Sequence, residues 1–230
     1  MKYLQITILL LAVPFILSAQ KNGFAIESVG KMDQKGYYVD GKKDGTWVMH
    51  HPNGFLYKVE SYDMGTKDGI FLTLDSRGNL QQEEFYKDNR LNGPSKKYGR
   101  GSKLEHEYNY KNDKLHGLQK KYYDNRKVQE ESWYVNGLKD STSTWYDQQG
   151  RKIAVYSYRN GKFHGVNKEF YPNGNVMKES TYHLNQIEGP YKEYFKDGSL
   201  KVEGQYKEGE KSGRWYTYDQ QGEVVDKERF

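Results

Sequence analysis

The chain has 230 residues, of which 35% are hydrophobic, 29% charged and 15% aromatic, with 22 Tyr and no Cys. These proportions exclude a thick aliphatic core, a disulfide framework and, through the aromatic content, a disordered chain. The formal charge of +5 arises from 36 basic and 31 acidic residues that are closely interspersed, without the single-sign run of a nucleic-acid-binding tail, so nucleic acid is not an expected partner.

Residues 1–19 read as a secretory leader: Lys2, the apolar run YLQITILLLAVPFIL from 3 to 17, then Ser18 and Ala19. The run is shorter than the roughly 20 residues a spanning helix needs and contains Pro14. The expectation is cleavage after Ala19, no stable membrane span thereafter, and an exported protein in the periplasm, at the cell surface or in the medium.

Residues 20–44 read as a degenerate N-terminal capping repeat carrying Gly30 and Tyr38, and residues 45–230 as eight tandem repeats of 24 residues, the last one truncated. Stepping by 24 from Gly45 gives Gly69, Gly93, Gly117, Ser141, Gly165, Gly189 and Gly213. An unbroken aromatic column follows: Tyr62, Tyr86, Tyr110, Tyr134, Tyr158, Tyr182, Tyr206 and Phe230. Each unit contains two turn signals. The first, at Asn53-Gly54, Asn173-Gly174, Asp197-Gly198 and Gln221-Gly222, predicts a type I′ hairpin. The second centres on Gly65, Asn89, Asp113, Gly137, Gly161, Asn185 and Gly209, residue types that reach positive φ most easily.

Two turns per unit predict an all-β fold, a single elongated, twisted antiparallel sheet of stacked β-hairpin repeats with a 24-residue period. Some seventeen strands at about 4.8 Å would extend roughly 80 Å. A two-residue first turn sets a pairing rule that places Lys96 opposite Glu107, Lys120 opposite Glu131, Lys168 opposite Glu179 and Lys192 opposite Glu203. The same rule pairs Tyr123 with Val128, Tyr171 with Val176 and Phe195 with Leu200. One face then collects Trp47, Phe71, Tyr191 and Trp215 with the Leu56, Leu80, Leu104 and Leu200 series. The other carries Tyr98, Tyr122, Tyr146, Phe170, Tyr194 and Tyr218 beside the Lys/Glu rows.

The stretches YVDGKKDGTW (38–47), YRNGKFHG (158–165) and YKEGEKSGRW (206–215) resemble the Tyr-x-x-Gly-x-x-x-Gly-x-Trp pattern of MORN-type repeats. The whole unit looks most like the bacterial MORN variant whose members are often labelled antitoxin-like. The resemblance implies hairpin-stacked sheets that act as interaction or membrane-proximal scaffolds. This chain departs from it in its 24-residue rather than about 23-residue unit, in the loss of Trp from most units and in the leader.

No catalytic, cofactor or metal residues are assigned, and no cofactor is expected. The six His stand at 50, 51, 106, 116, 164 and 183; only His116 and His164 share a repeat position, too far apart to share one ion. The glycine turns feed no helix and so make no phosphate loop. The Glu column is spaced by about 10 Å and faces lysines, which disfavours a paired-carboxylate hydrolase. What remains is binding by the face bearing Tyr98, Tyr122, Tyr146, Phe170, Tyr194 and Tyr218. A partner protein is expected there; a cell-wall or surface glycan, stacked on the same rings, and a toxin to be neutralised are the alternatives. The open sheet edges also make self-association an expectation.

Overall fold

A computed structural model describes residues 21–230, which form one open antiparallel sheet of 21 strand segments and contain no helix. The leader read at 1–19 lies outside the described residues. Each arm pairs with the one before and the one after it, so the sheet is a plain meander from Gly23–Val29 to Val224–Arg229. Three segments of two residues, Thr66–Lys67, Lys114–Leu115 and Lys162–Phe163, continue into Gly69–Leu74, Gly117–Tyr122 and Gly165–Phe170 along the same neighbouring arm. Twenty-one segments less these three leave eighteen arms.

The type I′ geometry expected at the first turn is found at the second. At the second turn both central residues are left-handed, Asp88 and Asn89 at φ 51° and 65°, Asn160 and Gly161 at 50° and 78°. With Lys87 opposite Arg90 this is a two-residue type I′ connection. At the first turn a single residue is left-handed in most units, as at Gly174 with φ 92°, whereas the turn closed by Gly99 opposite Lys103 has two, Gly101 and Ser102. The Gly174 N–H donates to the Tyr171 carbonyl at 2.9 Å, and the Tyr171 N–H donates to the Asn175 carbonyl at 2.9 Å. The loop is therefore a type I turn followed by a glycine bulge, which explains Pro52 and Pro172 at its second position.

That bulge corrects part of the pairing rule. Lys96–Glu107, Lys120–Glu131, Lys168–Glu179 and Lys192–Glu203 face each other as expected. Nearer the turn the register slips by one residue. Tyr123–Val128, Tyr171–Val176 and Phe195–Leu200 do not pair; Tyr122 opposes Val128, Phe170 opposes Val176 and Tyr194 opposes Leu200. Tyr123, Tyr171 and Phe195 instead open the loops.

A second irregularity sits at the repeated glycine. Ser180 opposes Tyr191 while Tyr182 opposes Ile187, so Glu188, Gly189 and Pro190 together face Thr181. Gly189 takes φ 99° there, and the Thr181 hydroxyl donates to the Pro190 carbonyl at 3.1 Å. Ser157 bonds the Val166 carbonyl in the same way at 2.8 Å.

The core is one residue thick and runs along the column that begins with Trp47 and Phe71 and ends with Tyr191 and Trp215. Between them the column holds Ser95, Gln119, Ser143 and Asn167, all buried. Trp, Gln and Asn are exchangeable here because each supplies a polar atom to the main chain ten residues earlier, where the bulge interrupts the ladder. The indole of Trp47 donates to the Tyr37 carbonyl at 3.1 Å and that of Trp215 to the Gln205 carbonyl at 3.2 Å. Gln119 accepts from the Asn109 N–H at 2.9 Å and donates to its carbonyl at 3.1 Å, and Asn167 accepts from the Ser157 N–H at 2.7 Å. Size is matched across strands: a Cβ on Gly204 would lie 2.2 Å from the Trp215 ring and one on Gly36 2.5 Å from the Trp47 ring. Lysines cover the rings, Lys43 over Trp47 at 4.3 Å and Lys211 over Trp215 at 4.5 Å.

Candidate binding face

Strand alternation and the conserved spacing of the units put three rows side by side on the face opposite the Trp column. The first is the predicted ring row, Tyr98, Tyr122, Tyr146, Phe170, Tyr194 and Tyr218, at the first-turn end of successive hairpins. The second is the Lys/Glu row, in which Glu83, Lys96, Glu107, Lys120 and Glu131 succeed one another across five arms. Two of the four predicted pairs close as ion pairs, Lys120–Glu131 at 3.0 Å and Lys168–Glu179 at 2.6 Å.

The ring row is tied to the charge row. Each tyrosine hydroxyl donates to the glutamate fifteen residues earlier, on the preceding returning arm: Tyr98 to Glu83 at 3.2 Å, Tyr122 to Glu107 at 2.7 Å, Tyr146 to Glu131 at 3.2 Å, Tyr194 to Glu179 at 3.4 Å and Tyr218 to Glu203 at 2.7 Å. Where the glutamate is replaced by Val155 or Val59, the ring fifteen residues later has no hydroxyl or is absent: Phe170 and Leu74. Hydroxyl and carboxylate are thus gained and lost together. Burial and the adjacent Glu83 push the Tyr98 phenol up to about 12, and burial with the Glu107 hydrogen bond raises Tyr122 as well. In Tyr218 the Glu203 bond is the main cause of the upward shift.

The third row is apolar and was passed over by sequence reasoning. Ile70 opposes Phe85 and Leu118 opposes Trp133. Trp133 is 49% exposed, and Ile70 and Phe85 are exposed as well. The reading of repeated columns missed Trp133 because its position holds Phe, Asn, Ser and Thr in other units. The pairing rule would have found it, since Leu118 and Trp133 are as far from the turn as one another, in step with Lys120 and Glu131.

Histidines behave differently from the expectation drawn from repeat positions alone. His164 lies against His183, ring centroids 5.2 Å apart, in the two columns where another unit places the Asp68–Lys87 ion pair. Among the described residues no group of three or more His, Cys, Asp or Glu is arranged to hold a metal ion, and no helix is long and apolar enough to cross a membrane.

Residues 67–88, 163–183 and 187–208 match the MORN repeat variant family. Each matched span runs from one side of a type I′ turn or its neighbouring arm through a complete hairpin unit, in phase with the 24-residue step. No curated protein matches the chain.

Proposed function

Because the chain carries repeats of the MORN variant at three places along the sheet, we propose that it is an exported, non-enzymatic scaffold that binds a partner protein through the face bearing the Tyr, Lys/Glu and apolar rows. MORN repeats serve as interaction modules, and the leader read at 1–19 supports export. One observation carries the choice of face: an exposed Trp133 with Leu118, Phe85 and Ile70 lies beside charges that are already paired. Large rings at the centre of a charged surface supply most of the energy of protein interfaces, while flanking charges set register. The tyrosines, with their hydroxyls engaged, present ring surface in fixed positions, so little side-chain entropy is lost on contact.

The experiment is affinity capture by the full chain in parallel with Trp133→Ala and, as a control on the opposite face, Thr73→Ala. A partner bound by the parent and the control but weakened by about 2 kcal/mol or more in Trp133→Ala supports the reading. Equal loss in both variants, or none in either, overturns the assignment of this face.

A further inference from the structure

We propose that the hollow centred on His106, on the Trp-column face, binds the acidic ring of a uronate-type sugar. Lys97 and Lys121 lie directly opposite His106 on the two neighbouring arms. Three basic groups thus succeed one another across three arms, whereas in the same columns of another unit Glu169 faces Lys178 in a 2.6 Å ion pair. Among the described residues neither Lys97 nor Lys121 has a carboxylate within ion-pair distance. Glu130, opposite Lys121, has its Oε1 engaged by Lys139, Ser132 and Ser143. The row therefore sets three basic groups, Lys97, His106 and Lys121, against one carboxylate, Glu130, which is shared with Lys139.

The row borders a hollow of about 180 Å³ between His106, Tyr108, Gln119, Lys121 and Tyr134, about the size of one sugar ring. His106 stacks flat on Tyr108, centroids 5.2 Å apart and planes within 10°, which gives the hollow a rigid aromatic wall. A carboxylate set over His106 meets Lys97 and Lys121 on either side, and the ring it is attached to occupies the hollow. Glu130 also lines the hollow, and its Oε2, not engaged by Lys139, Ser132 or Ser143, offers an acceptor for sugar hydroxyls.

Burial, Lys121 and Lys97 hold the His106 imidazole below its ordinary range, with Glu105 and Glu130 acting in the opposite sense. A bound carboxylate opposes the two lysines and draws the imidazole back up, so binding takes up a proton and tightens as pH falls.

The test is calorimetry on the full chain with glucuronate, glucose and acetate, at two pH values and in buffers of different ionisation enthalpy. Glucuronate binding that exceeds glucose and acetate by about tenfold, with proton uptake, and that falls by about tenfold in Lys97→Ala/Lys121→Ala, is the expected result. Circular dichroism of that variant checks that the sheet is intact. Acetate binding as well as glucuronate reduces the site to a simple anion site and overturns the proposal. So does glucose binding as well, or glucuronate binding unaffected by loss of both lysines.

Discussion

Arg126 and Leu184 occupy left-handed backbone at φ 67° and 52°, the first at the bulge position held by Gly174 in another unit, the second at a type I′ position held elsewhere by Asn160. Both side chains are exposed, so the conformation is strained without a packing contact to offset it. Replacement by the residue that suits the position, Arg126→Gly and Leu184→Asn, is expected to stabilise the chain by about 0.5–1 kcal/mol each, read from urea unfolding. No change in either would show that the turns relax in solution. These positions were visible in the sequence as departures from a column. Gly36 and Gly204 share a repeat position too, but Glu, Tyr or Ser fills it in the units between them; the placement of the Trp47 and Trp215 rings one strand away explains why no side chain stands there.

Between arms, the recurrent link is the hydroxyl–carboxylate bond from a ring to the preceding returning arm. Val155 and Phe170 are, like Val59 and Leu74, a pair in which both partners are missing, and they provide a built-in control. Restoring both, Val155→Glu with Phe170→Tyr, should show a favourable coupling of about 1 kcal/mol in a double-mutant cycle on unfolding, whereas each single change gains nothing or destabilises. Additive single effects would mean that the bond seen at Tyr122–Glu107 contributes nothing. The facing Lys/Glu pairs were legible because they lie inside one hairpin, where counting from the turn suffices. The tyrosine–glutamate bonds cross from one hairpin to the last, and the register near the first turn depends on a bulge whose φ signature one glycine can satisfy in two ways. Counting therefore placed Tyr122, Phe170 and Tyr194 on the right face but gave their partners to Tyr123, Tyr171 and Phe195. The same slip set Leu104 and Leu200, which oppose Tyr98 and Tyr194, on the Trp-column face instead of the ring face.

At the scale of the molecule, tyrosines run the length of the sheet on both faces, and Tyr62, Tyr86, Tyr98 and Tyr191 among them are held protonated. Burial pushes the Tyr86 and Tyr98 phenols up to about 12 and raises Tyr62 and Tyr191 further. A phenol ordinarily ionises near pH 10. A raised folded value means that the native state favours the neutral form, so this contribution is complete below about pH 10 and is lost as pH rises toward about 12 and beyond. Alkali should therefore dissolve the sheet over that window, with tyrosinate absorbance and loss of the strand dichroism appearing together. Ionisation of Tyr62, Tyr86, Tyr98 or Tyr191 near pH 10 with the sheet intact would contradict the packing described. The period and the all-β meander were legible because repetition averages away local ambiguity; the polar stretch of the core was not, since Gln119 and Asn167 substitute for Trp through a bond to backbone rather than through shape. The meander has a further, mechanical consequence. The backbone ladder joins every arm only to the arm before and the arm after it, so tension drawn between the first and last arms loads these ladders in series, with side-chain bonds between successive loops, such as Tyr171 to the Tyr194 carbonyl, as further links. Such a chain lengthens by peeling an arm from an edge while the rest of the sheet keeps its form. It yields at low force, and it re-forms by laying arms back onto the edge that remains.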